Sequence, residues 1–145
     1  MNLDQIYSNI KGLDIWQIVT DIMENDLGVF IADLNRKQMA DKGQRSDGSQ
    51  LSPDYATITK IIKSNKSGIS GIYEYVTLYD TGELHKSIFT SVVGTSIILD
   101  SENWKVDELT QKYGEFLGLT DESIDKLKEK FKPLFFNKLH EQILR

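Results

Sequence analysis

Apolar side chains recur every three or four residues along the first third of the chain: Leu13, Trp16, Val19, Met23, Leu27, Phe30 and Leu34. Ile15, Ile18, Ile22 and Ile31 widen that row into a broad stripe. Such spacing is the 3.6-residue period of an amphipathic helix, which has to bury one side against other elements. It predicts one long helix over residues 13–42. Gly28 is its weak point, costing about 1 kcal/mol relative to alanine, and Gly43 is the residue that ends it. The eleven residues from Met1 to Lys11 are mixed in polarity, with no apolar run after a basic start, and read as no leader.

The rest of the chain must supply partners for that stripe. Residues 43–75 read as an extended loop with a short helix inside it. Gly43 to Ser49 is turn chemistry, with Asp47-Gly48 its strongest signal. Ser52 as N-cap with Pro53 at the first helical position predicts a short helix over Tyr55 to Ile62, and Lys63 to Gly71 is polar and rich in Gly and Ser. Residues 76–100 form the β part. Asp80-Thr81-Gly82 predicts a tight turn, and strands over Lys86–Val93 and Ser96–Asp100 are joined by Gly94-Thr95 in a type II′ hairpin. Residues 106–145 return to helical periodicity. One helix from Val106 to Leu117 is closed by Gly118, and a second starts from the Thr120 N-cap and is kinked or restarted at Lys132 by Pro133. The fold class is α+β in a single domain over 1–145: a long N-terminal helix, an irregular loop, a small antiparallel sheet with a hairpin, and C-terminal helices.

Composition narrows the chemistry. There are no cysteines, which removes disulfides, thiolate metal sites and thiol nucleophiles, and fits assembly in a reducing compartment. Seventeen Lys and Arg against 22 Asp and Glu leave a net charge of −5, which disfavours binding nucleic acid by phosphate neutralisation. No apolar run approaches the roughly 20 residues that span a bilayer. Asp80, His85 and Ser87 have the residue types of a hydrolase triad. They lie within one short stretch without a nucleophile elbow, and read as a turn aspartate and two exposed polar residues at a strand start. The two histidines, His85 and His140, match no zinc spacing, so no metal and no cofactor is expected. Arg45, Lys60, Lys63 and Lys66 form a basic cluster in the loop, a candidate contact with a partner protein.

Three short stretches carry a resemblance in their order. Asp47-Gly48-Ser-Gln-Leu51-Ser-Pro53 comes first. Leu78-Tyr-Asp80-Thr81-Gly82-Glu-Leu84-His-Lys-Ser87-Ile88 opens the hairpin region, and Tyr113-Gly114 with Phe116-Leu-Gly-Leu119-Thr120 leads into the last helix. Over residues 20–145 this order resembles the tail-completion or virion-morphogenesis proteins of tailed bacteriophages, whose motifs read D-G-x-x-[LW]-x-P and L-x-x-T-G-x-L-x-x-S-[IVL]. The resemblance implies a structural virion protein without catalysis. It would form a homo-oligomeric ring at the neck or tail end, beside other neck, adaptor or tail proteins, after assembly in the bacterial cytoplasm. It also implies a place near the DNA exit channel, without sequence-specific contact to nucleic acid and without a membrane. Asp47, Gly48, Leu51, Pro53, Leu78, Asp80, Thr81, Gly82, Leu84 and Ser87 are then turn and core residues rather than reactive ones. The other reading of the same sequence is a small soluble protein-binding or regulatory module that dimerises through its helices.

Overall fold

The computed structural model describes residues 2–53, 76–78 and 82–145. The first helix, α1 (Leu3–Lys11), falls where the sequence reading placed no element. Leu3, Ile6, Tyr7 and Ile10 are its signal, a stripe at spacings of three and four, and Asn2 caps it by accepting from the Asp4 N–H at 2.9 Å. Asn9 ties α1 to the far end of the chain, its Nδ2 donating to the Ile143 carbonyl at 2.9 Å.

The helix predicted over 13–42 is divided. It consists of α2 (Ile15–Asp21), a π-helical turn at Ile22–Asp26, and α3 (Gly28–Lys42). Inside the π turn the Leu27 N–H donates to the carbonyl of Ile22, five residues back, at 2.8 Å. That extra residue changes which side chains share a face. Ile18, Ile22, Leu27, Ile31 and Leu34 are buried, whereas Trp16, a member of the predicted stripe, is 63% exposed. Gly43 ends α3 at φ +59°, as predicted.

The chain from Gly43 to Pro53 is not a loose loop. Gln44 pairs with Gln50 in an antiparallel bridge, and the Leu51 N–H returns to the Gly43 carbonyl at 2.7 Å. The helix predicted from Tyr55 and the stretch to Gly71 lie outside the described residues. Glu83–Lys86 is one helical turn (α4), so the strand predicted from Lys86 begins two residues later, as β1 (Ile88–Val93). It pairs antiparallel with β2 (Ser96–Ser101), from Val93 opposite Ser96 at the turn to Ile88 opposite Ser101. Gly94 takes φ +60° in the connecting turn, which a type II′ hairpin requires at that position. Next, α5 (Val106–Tyr113) stops four residues before the predicted Leu117, because Gly114 leaves the helix at φ +83°. The last helix, α6 (Asp121–Ile143), is capped by Thr120 as predicted and runs through Pro133 as one element, where a kink or restart was expected. Pro133 and Glu129 are both exposed, so water can take the carbonyl that the proline leaves without a donor. Among the described residues the fold is thus α+β, six α-helices with a two-stranded antiparallel sheet.

Two hydrophobic clusters flank α3. On one side Ile18, Ile22, Leu27, Ile31 and Leu34 pack with Leu127, and Phe131, Leu134, Phe135 and Leu139 of α6 close over them. On the other, Ala32 and Met39 of α3 meet Leu51, Val76, Leu78, Leu84, Ile88, Tyr113 and Phe116. Leu99 of β2 touches both clusters. A hairpin alone is marginal in water, and this one is held by its packing on α3 and the π turn.

Candidate functional site

Of the triad-like residues, the structure describes His85 and Ser87. His85 is 5% exposed, not a surface residue at a strand start, and its Nε2 lies 2.9 Å from the Thr77 carbonyl. Ser87 sits in the turn before β1. Its hydroxyl donates to the Leu84 carbonyl at 2.7 Å and lies 2.5 Å from the Ser101 hydroxyl. Both side chains therefore tie the start of the hairpin to its surroundings. Asp80 and Thr81 lie outside the described residues, as do Lys60, Lys63 and Lys66.

The motif residues that are described converge. Leu51 of the first stretch, Leu78, Leu84 and Ile88 of the second, and Tyr113 and Phe116 of the third all belong to one buried cluster. Gly82 is buried at φ +87°, a conformation open to glycine at little cost, and it starts the α4 turn. Leu78 itself stands at φ +57°, an uncommon position for a branched side chain.

The first stretch makes a turn organised by polar contacts. Asp47 accepts from the Ser49 N–H at 2.9 Å and from the Ser49 hydroxyl at 2.5 Å, while Gly48 stands at φ +87°. The Ser49 hydroxyl and N–H, with the nearby Arg45 charge, hold the Asp47 carboxyl below the usual carboxylate range. Arg45 is half-buried, and its guanidinium is bonded within the chain. Its Nε donates to the Tyr113 carbonyl at 2.5 Å, Nη1 to the Ser49 hydroxyl at 3.2 Å, and Nη2 to the Ser52 hydroxyl at 2.8 Å. The turn is thereby bolted to the end of α5. Pro53 follows it on the surface.

Three residues of α3 that the sequence reading passed over complete this arrangement. Asn35, fully buried, donates through Nδ2 to the carbonyls of Phe116 at 2.9 Å and Gly118 at 2.8 Å. Gln38 donates to the Gly118 carbonyl at 2.8 Å and accepts from the Thr120 N–H at 2.8 Å, fixing the approach to α6. Arg36 reaches the hairpin, donating through Nη2 to the Ile88 carbonyl at 2.8 Å and through Nε to the His85 carbonyl at 2.5 Å. The signal for Asn35 and Gln38 was their place beside the Ile31/Leu34 row, where polar side chains have to find partners.

Beside β2 lies an open apolar groove of about 470 Å³, lined by Ile97, Ile98, Leu99, Leu117, Leu119 and Ile124 among others. A second recess of about 430 Å³ shares Leu99 and Leu117 with it and adds Asp100, Asp107 and Glu115. A third cleft, near the start of α6, is small, about 60 Å³. There the Lys42 ammonium, with Lys126 beyond it, pairs with Glu122 and holds its carboxyl below the usual range. Among the described residues no group of three or more His, Asp or Glu side chains could hold a metal ion, and no helix is long and apolar enough to cross a membrane. No family model, no curated protein and no solved structure matches the chain.

Proposed function

We propose that this chain is a structural virion protein of a tailed phage, forming a homo-oligomeric ring at the neck or tail end that completes the tail or joins head to tail. The observation that carries the reading is the meeting of the three motif stretches in one buried cluster: Leu51, Leu84 and Phe116 come from distant parts of the sequence. A motif that acts as a fold signature has to behave this way, with its apolar positions in the core and its glycines at positive φ. A ring also requires heterologous contacts, one surface of each copy meeting a different surface of the next. Exposed apolar side chains at separate places, Leu3 and Tyr7 on α1 and Phe89 and Val93 on β1 of the hairpin, are material for two such surfaces. The reading gives the chain no catalysis and no cofactor, and its neighbours are neck, adaptor or tail proteins. An acidic surface close to a DNA exit channel would let DNA pass without gripping it.

Native mass measurement and electron microscopy of the purified chain test this directly. A closed ring of one size supports the proposal, and the same ring at the tail end of virions places it. A dimer that persists across concentrations would instead support the second reading, a small module paired through its helices. That reading draws on α1, whose apolar row has no buried member.

A further inference from the structure

We infer that the free edge of β2 is a docking site for an extended segment of another polypeptide, apolar and β-branched along its length with lysine or arginine at one end. The inference does not depend on the virion reading. In a hairpin closed by a two-residue turn, the pair flanking the turn, Val93 and Ser96, exchanges hydrogen bonds, and alternate residues beyond it point their N–H and C=O outward. On β1 the outward groups belong to Ile88, Thr90 and Val92, and α3 and the π turn pack against that strand. Arg36 donates to the Ile88 carbonyl, the Val92 N–H donates to the Glu24 carboxylate at 3.3 Å, and the Thr90 hydroxyl donates to the Gly28 carbonyl. On β2 the outward groups belong to Ile97, Leu99 and Ser101. Asp100 takes the N–H of Ser101. Ile97 and Leu99 have no hydrogen-bond partner along this edge among the described residues.

Folded proteins usually blunt such an edge with lysine, proline or a bulge. From Ser96 to Leu99 this strand has none of these, and Ile97 and Ile98 are 40% and 38% exposed. The apolar groove lies against that same strand, which decides the form of the occupant. A helix laid in the groove would remove water from the Ile97 and Leu99 peptide groups without replacing its hydrogen bonds. An added strand replaces them and sends alternate side chains toward Leu119 and Ile124. Charge decides its chemistry. Where the groove runs on past Leu99, the adjoining recess carries Asp100, Asp107 and Glu115 and no basic side chain in its lining. A segment lying along β2 thus meets hydrocarbon beside Ile97 and Ile98 and carboxylates toward Ser101, so its cationic residues belong at the second end.

The test uses the full chain and a fluorescent synthetic peptide, Thr-Val-Thr-Ile-Thr-Lys-Lys, blocked at both ends. The expected result is saturable binding that weakens about tenfold or more in each of three controls. The controls are a peptide N-methylated at alternate residues, a peptide with glutamates for its lysines, and a chain carrying Asp107→Lys with Glu115→Lys. Both substituted side chains are exposed, and circular dichroism checks that the variant remains folded. Binding indifferent to N-methylation overturns strand addition, and binding indifferent to the charge changes overturns the cationic end. No binding at millimolar peptide overturns the site. So does a native mass showing self-association that Ile97→Lys abolishes, because the edge is then occupied by a second copy.

Discussion

Arg45 and Gly114 show how one contact can set the shape of a connection. The guanidinium passes directly over Gly114 to reach the Tyr113 carbonyl, and a Cβ on that glycine would stand 2.6 Å from Arg45 Nε. Gly114 is also at φ +83°, so a side chain there is strained before the clash is counted. Gly114→Ala should therefore cost about 2 kcal/mol in urea unfolding. A loss within about 0.5 kcal/mol would mean that Arg45 moves aside freely. Two residues further along the turn, Asp47 gives a pH-dependent counterpart. Its carboxyl is held below the ordinary range in the folded protein, so its contribution is present above the unfolded value and lost as pH falls through the folded one. Asp47→Asn keeps an acceptor for Ser49 but removes the charge. The urea midpoints of wild type and variant should differ at neutral pH and converge in acid. A gap that stays constant across that range would refute the assignment.

At the scale of elements, α6 offers two substitutions with opposite signs. Thr120 caps its first turn through the Ser123 N–H, and Thr120→Ala should cost about 1 kcal/mol. Pro133→Ala restores a donor inside an exposed stretch of the same helix and should stabilise the protein by about 1–3 kcal/mol, read as a higher thermal midpoint. If the alanine lowers the midpoint, the proline serves the packing of the Phe131 and Phe135 rings, which stack with centroids 5.3 Å apart. The sequence was legible where one local rule decided the outcome: Gly43 closing α3, Gly94 turning the hairpin, Thr120 opening α6. It was illegible where a tertiary choice overrode the period. With the π turn in place, Ile18 and Ile22 of the widened stripe are buried while Trp16 of its central row is exposed, and a fixed 3.6-residue reading has no means to place that extra residue. Pro133 misled for the converse reason, since the local rule was correct but the cost falls on an exposed carbonyl. In the candidate site the apolar motif positions were readable as core. The roles of Asn35, Gln38 and Arg36 were not, because each is defined by a carbonyl 49 to 83 residues away.

At the scale of the molecule, the distribution of apolar surface is what an assembly has to use. Tyr7 is 61% exposed and Leu3 more so, although both lie on the apolar row of α1, and Asn9 fixes that helix against the end of α6. A helix held in place with its apolar row uncovered is pre-positioned, so little conformational entropy remains to be lost when a neighbour covers it. Leu3→Gln with Tyr7→Gln replaces the two most exposed members of that row without touching either core cluster. Because the two side chains are already in water, unfolding stability should change by less than about 0.5 kcal/mol. The native mass should fall to that of the monomer over the concentration range in which the unsubstituted chain assembles. A ring that survives both substitutions moves the contact away from α1 and leaves the hairpin as the surface to dissect. An unsubstituted chain that is monomeric at every accessible concentration removes the ring itself. A stable dimer that the substitutions dissolve would mean that helices pair two copies and that the motif stretches serve folding alone.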